Sequence, residues 1–286
     1  YICKGVIFLH RKISAAVFTV LTAMFMCGCT SDKNTVGQSA GHNDRGGVTP
    51  AETAFLTDGK EKVCYGQGYE TDSDNRPVGA IQAQEKYGSY GGRFIFGKDD
   101  KTIRLTFDEG YENGCTGKIL DILKEKKVTA TFYVTLDYVK SSPELVQRMI
   151  NEGHEVGNHS CTHPSLPDIS DDMVFEEIHG LETYISDNFG GYKTVTMRPP
   201  RGEFSVRTLR IAKNMGYDTV LWSFAYNDWN TDAQPDRDTA YRRITSATHN
   251  GAVYLLHAVS ETNTAILPDV IDYWLDNGYT VKSISG

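Results

Sequence analysis

His159 and His163 lie four residues apart in GNHSCTHPSL, residues 157–166. Imidazoles at that spacing share a face if the loop forms a helical turn. With one oxygen ligand they would leave a position open for water, the pattern of a catalytic zinc-type centre. Loop histidines are also common without any such role, so the pair must be read with its possible partners. Asp108 and Glu109 in TFDEG are adjacent carboxylates closing an apolar run. One could ligate a metal while the other takes a proton from water, or one could cap the turn before Gly110. Arg198 and Arg201 in RPPRG sit in a segment stiffened by Pro199 and Pro200. An arginine buried beside Asp108 would orient it and keep it ionised, whereas a surface arginine would do neither. His257 ends the apolar run AVYLLH. It is either a satisfied core histidine or a general acid tuned by a carboxylate, for which Asp228 in NDW is the candidate.

These residues need elements to hold them. TIRLTF (102–107), VTATFYV (128–134), HEVGNH, TVTMRPP, YDTVLW, AVYLLH and YTVKSI read as strands. Between them, helical spacing and end signals predict helices over 117–127, 142–153, 171–189, 205–215, 238–249 and 264–277. About seven strands alternating with helices imply an α/β fold with a parallel sheet. That number favours a distorted parallel (β/α) barrel over an open sheet. In either architecture functional residues gather at the carboxyl ends of the strands, where FDEG, NHSCTH, RPPRG, NDW and LLHAVS fall. Strand ends need turn residues, but not repeated His, Asp and Arg.

The chain has 286 residues, is 40% hydrophobic and 23% charged, and carries a formal net charge of -8. That balance argues against a nucleic-acid binder and against attraction to anionic polymers. Lys4, Arg11 and Lys12 flank an uncharged apolar run, Ile13 to Met26, of signal-peptide length. Gly28 and Cys29 follow in MCGCT, an imperfect lipobox. Residues 1–28 are therefore expected to be a signal peptide, with Cys29 lipidated and membrane-anchored; a plain secretory signal and an uncleaved membrane anchor are the alternatives. Residues 29–63, rich in Gly, Ser, Thr, Asn and Asp, are expected to form a flexible tether. Lipidation of Cys29 would leave Cys64, Cys115 and Cys161, an odd number that indicates no disulfide framework.

TFDEG, HSCTH, RPPRG, NDW and LLHAVS occur in the order of the five motifs of polysaccharide deacetylases. The chain thus resembles the NodB homology domain of carbohydrate esterase family four over about residues 100–286. LTFDEGYENGCTGKILDILK, EGHEVGNHS and RPPRGEFS are similar to the delta-lactam-forming muramic de-N-acetylases of spore-forming bacteria. YGQGYETDSDNRP and EKYGSYGGRF extend that similarity to about residue 64. The resemblance implies metal-dependent removal of acetate from N-acetylmuramic acid in peptidoglycan strands. It implies Asp108 as catalytic base, Arg198 as its orienting partner, His257 as general acid and Asp228 as the carboxylate tuning it. His159 and His163 would ligate a divalent ion, zinc foremost. Trp229, Leu255 and Leu256 would wall the acetyl pocket.

Two positions depart from the family pattern. Glu109 stands where the family usually has the aspartate that is the third metal ligand, and it remains a candidate ligand. Arg201 stands where tyrosine is frequent; its backbone N–H would face the oxyanion, and its side chain could favour a substrate carrying a carboxylate. Cys161 is expected to pack rather than ligate. The expectation is an exported monomeric hydrolase. The alternatives are an N-acetylglucosamine deacetylase and a non-catalytic glycan-binding module, and retention of both Asp108 and His257 argues against the module.

Overall fold

The computed structural model describes residues 59–286. The expected signal segment 1–28, the lipid site Cys29 and nearly all of the tether lie outside the described residues. The end of the expected tether is held down: Lys62 pairs with Asp168 and Glu203, and Val63 begins a strand. No helix among the described residues is long and apolar enough to cross a membrane.

A parallel sheet forms the frame. Its strands are β2 (Gly92–Arg93), β3 (Thr102–Glu109), β4 (Thr131–Val134), β5 (Glu155–Asn158), β6 (Thr196–Met197), β8 (Asp218–Val220), β9 (Ala252–His257) and β10 (Thr280–Lys282). Two short strands, β1 (Val63–Cys64) and β7 (Glu203–Phe204), pair antiparallel beside it. The path runs β10-β3-β4-β5-β6-β8-β2, with β9 on the other side of β3. A parallel bridge from Phe224, just past β8, to Tyr254 of β9 closes the curve into a distorted barrel. The seven strands expected from the sequence are all present. The eighth, β2, has only two residues and no periodicity to betray it.

Helices follow the strands as expected, and their starts are chemically marked. Ser170, Ser205, Asp236 and Ser260 each accept a backbone N–H at a helix N-cap. Two helices were not expected, Val78–Tyr87 and Leu136–Ser141. The first shows little amphipathic pattern and the second is only six residues long.

Strand alternation divides the core into two sets. Phe107, Phe132, Val134, Tyr254 and Leu256 point outward and pack under the helices. Tyr133, Val253 and Leu255 point inward, with Phe94, Phe204 and Trp222. The extension before β3 seals this inner set, since Tyr65 donates to the Trp222 carbonyl (2.7 Å) and Gln67 bonds both the Trp222 indole N–H and the Ala225 carbonyl (2.9 Å each).

Tyr133 lies in register between Asp108 on β3 and Gly157 on β5. A Cβ on Gly157 would stand 2.5 Å from the Tyr133 ring. Gly157 thus leaves room for that ring to cross β5, where its hydroxyl meets Thr196 Oγ1 at 3.2 Å. Gly157→Ala is expected to destabilise the fold by about 1–3 kcal/mol, the usual cost of overpacking a rigid interior. The shift in urea midpoint at constant m-value measures it.

Candidate active site

Asp108, near the end of β3, faces the barrel interior. Arg198, in the segment after β6, is fully buried and places Nη1 2.7 Å from Asp108 Oδ1. Its Nε and Nη2 donate to the carbonyls of Val220 (3.1 Å) and Leu221 (3.2 Å). The guanidinium carbon lies 4.3 Å from the Tyr133 ring centre. With its donors and one face engaged, the guanidinium is locked in place. Burial alone would push the Asp108 pKa up, but the charge of Arg198, aided by the neighbouring histidines, holds it below the ordinary carboxylate value. The side chain keeps 11% exposure, enough for a water to reach an ionised carboxylate.

His159 Nδ1 sits 2.8 Å from the Arg198 carbonyl, so that nitrogen carries the proton and donates. Its Nε2 keeps a lone pair and lies 3.6 Å from Asp108 Oδ2. The His163 ring centre is 4.9 Å from that of His159. No helical turn brings them together. Ser160 (φ 69°) and His163 (φ 58°) adopt left-handed backbone instead, pinned by Asn158 Oδ1 accepting the Ser160 N–H and Ser160 Oγ accepting the His163 N–H. Burial depresses both imidazole pKa values, that of His163 to about 4, so both rings are neutral at neutral pH. Arg201 has φ 61°, so three of the strained non-glycine residues sit at this site. Cys161 faces the helix Asp171–Asn188, its Sγ directed at the Glu176 carbonyl, away from the rings.

His257 ends β9 in direct register with Asp108. Its Nδ1 is 2.7 Å from Asp228 Oδ1, and its backbone N–H donates to Asp228 Oδ2 at 2.9 Å. Asp228 is fully buried. Burial by itself would lower the His257 pKa, but the Asp228 carboxylate, bonded to the ring, raises it above the ordinary value. With Nδ1 engaged, Nε2 is the nitrogen available to a substrate, and the side chain is 25% exposed. Trp229, the next residue after Asp228, is 51% exposed, and Leu255 shares the inward face of His257.

Two expected site residues point elsewhere. Successive strand side chains alternate, so Asp108 faces in and Glu109 faces out. The Glu109 carboxyl is fully buried beside Thr116 Oγ1, 3.4 Å from each oxygen. The structure therefore places Asp108, not Glu109, beside the histidines. Leu256 likewise packs in the sheet–helix core rather than along a pocket with Leu255. Among the described residues no group of three His, Cys, Asp or Glu side chains forms a cage for a metal. Two neutral imidazoles, one with its Nε2 free by virtue of the Arg198 carbonyl, fit a divalent ion; Glu109 as third ligand does not. Tyr133, Ser160 and Asn263 support the site but were not singled out in the sequence, because their roles are second-hand contacts across strands and loops.

The polysaccharide deacetylase family model matches residues 97–220. Peptidoglycan-N-acetylmuramic acid deacetylase PdaA of Bacillus subtilis is 43% identical over 200 residues, 70% of this chain and 75% of that protein. The structure of B. subtilis PdaA, a family 4 carbohydrate esterase, superposes with a TM-score of 0.75 at 39% identity, covering 79% of this chain and 96% of that one. A family 4 carbohydrate esterase from Bacillus anthracis gives a TM-score of 0.66 at 37% identity over 80% and 97% of the two chains.

Burial, followed by the nearby Glu112 charge, raises the Glu109 pKa well above its ordinary value of 4.5. The folded protein then holds a proton that the unfolded chain releases above that value. Stability from this group is fully present at lower pH and declines as pH rises from 4.5 toward the raised value. Glu109→Gln is expected to flatten that decline, measured by urea unfolding over a pH series. In calorimetric zinc titration, Glu109→Ala should leave affinity unchanged, whereas His163→Ala should lose most of it.

Proposed function

The chain belongs to the polysaccharide deacetylase family, and we propose that it hydrolyses the N-acetyl group of N-acetylmuramic acid in peptidoglycan, outside the cytoplasm. One observation carries the reading. Asp108 and His257 stand side by side in register, each tied to its own buried partner, with pKa values moved in opposite senses. The two shifts favour an ionised base beside a protonated acid, the pair that acid–base hydrolysis uses. A module that only bound glycan would need neither.

In the proposed reaction Asp108 takes a proton from water as its oxygen bonds to the acetyl carbon. Arg198 holds the carboxylate in position throughout. The Arg201 N–H is the proposed donor to the developing oxyanion. His257 Nε2 gives its proton to the departing nitrogen as the carbon–nitrogen bond breaks, leaving acetate and a free amino sugar. A divalent ion, zinc foremost, held by His159 and His163 would polarise the acetyl carbonyl when bound. Trp229 and Leu255 would flank the acetyl group.

The muramic sugar is favoured by the similarity to PdaA and by Arg201 near His163, whose pKa its charge helps to lower. The lactyl carboxylate of a muramic residue would suit that cation. Lipid anchoring at Cys29 and a monomeric state complete the proposal.

Acetate release from peptide-stripped peptidoglycan, with the product sugar identified by mass spectrometry, tests the reading. Asp108→Asn should cost about 10²–10⁴-fold in turnover. Prolonged chelation should lower turnover and added zinc or cobalt restore it; full resistance to chelation would remove the metal from the reading. The pH profile should be bell-shaped, its acid limb below the ordinary Asp value of 3.8 and its alkaline limb above the ordinary His value of 6.5.

A further inference from the structure

Asp228 is held by more than its pairing with His257. Its Oδ2 accepts both the His257 backbone N–H at 2.9 Å and the Asn263 side-chain N–H at 2.6 Å. Asn263 is 2% exposed and stands in the first turn of the helix Glu261–Asp276. Its own N–H is capped by Ser260 Oγ at 3.0 Å. The Asn263 carbonyl oxygen accepts from the Tyr226 hydroxyl. A carboxylate can only accept, so Asn263 must turn its amide nitrogen to Asp228 and its oxygen to Tyr226. The backbone is tied as well: Ser260 Oγ donates to Gln234 Oε1 at 2.5 Å, and Gln234 Nε2 donates to the carbonyls of Asp228 (2.7 Å) and Asn230 (2.8 Å).

We propose that Asn263 is a positioning residue for the reaction, its amide holding the Asp228 carboxylate in the orientation that keeps the His257 Nδ1 proton inward and leaves Nε2 for the leaving nitrogen. This rests on the reading of His257 as general acid. The outer torsion of an aspartate is soft, and the Asn263 amide adds a third donor, from a separate element, to the two that His257 supplies. The Asn263 donor fixes Oδ2 from the helix side, while His257 engages Oδ1 from the strand side. Asn263 acts through Asp228 and His257 alone. The charged and titratable groups around this unit are Asp228 and His257, Tyr226 with Arg243 lying over its ring, and Asp108 beside His257 with its neighbours Arg198 and His159.

The test compares kcat and KM of four proteins on peptide-stripped peptidoglycan from acidic to alkaline pH, with thermal unfolding as a check on folding. Asn263→Ala should lower kcat by at least about tenfold, the lower range for losing an outer partner of a site, with KM nearly unchanged. Asn263→Asp has the same shape but can donate to Asp228 only while protonated. Its kcat should approach wild type at acid pH and fall away steeply as pH rises, where wild type holds its plateau. Should Asn263→Ala fail to fold, this isosteric variant carries the test. Wild-type kcat in Asn263→Ala, or an Asn263→Asp profile parallel to wild type, would overturn the clamp. His257→Ala separates the two levels: an active His257→Ala overturns the acid reading and the clamp with it. An inactive His257→Ala beside an unimpaired Asn263→Ala overturns the clamp alone.

Discussion

The contact between Arg198 and Asp108 is the interaction on which this structure turns. A guanidinium with no exposure is tolerable only if its charge and donors are all satisfied, since stripping one partner from such a pair costs about 3–5 kcal/mol. Three strands of the barrel supply four partners: the carboxylate from β3, the ring of Tyr133 from β4, and the carbonyls of Val220 and Leu221 at the end of β8. Arg198 comes itself from the segment after β6, and its carbonyl orients the His159 ring. One side chain thereby fixes the base and one main-chain oxygen fixes a candidate ligand.

Around His257, on the adjoining strand β9, this logic is repeated with the charges exchanged. There the buried charge is the Asp228 carboxylate, and its donors are an imidazole, a backbone N–H and an amide. Each half of the acid–base pair is thus built on an ion buried one layer behind the mouth. The outcome is two groups whose pKa values move apart, although both lie in the same largely buried environment. Burial alone would have driven both toward their neutral forms, so the fixed counter-charges decide the protonation states.

Strand geometry sets the limits of what that mouth can contain. The two-residue repeat puts Asp108, Tyr133, Leu255 and His257 on one face, and Glu109 and Leu256 on the other. The loop carrying His159 and His163 escapes the repeat because it has left the strand. It reaches its geometry through left-handed residues pinned by Asn158 and Ser160. Strain at Ser160, His163 and Arg201 is what the surrounding hydrogen bonds and packing must hold in place.

The alternation of strands and helices, the seven main strands and the clustering of Asp, His and Arg at strand ends were legible in the sequence, because each is a local pattern of spacing and residue type. So were the pairings of Arg198 with Asp108 and of Asp228 with His257, which the ordered motifs implied. What only the tertiary structure decided was which way each side chain turned. Adjacent letters such as Asp108 and Glu109 look interchangeable in a string, yet the pleat sends one to the mouth and the other to Thr116 behind the sheet. Leu255 and Leu256 were divided in the same way. The helix Val78–Tyr87 and the two-residue β2 also stayed hidden, since their identity comes from packing on β8 and the inner core rather than from a periodicity of their own. The supports of the site, Tyr133 over Gly157 and Asn263 behind Asp228, depend on contacts between residues far apart in the chain, and no local spacing encodes such a contact.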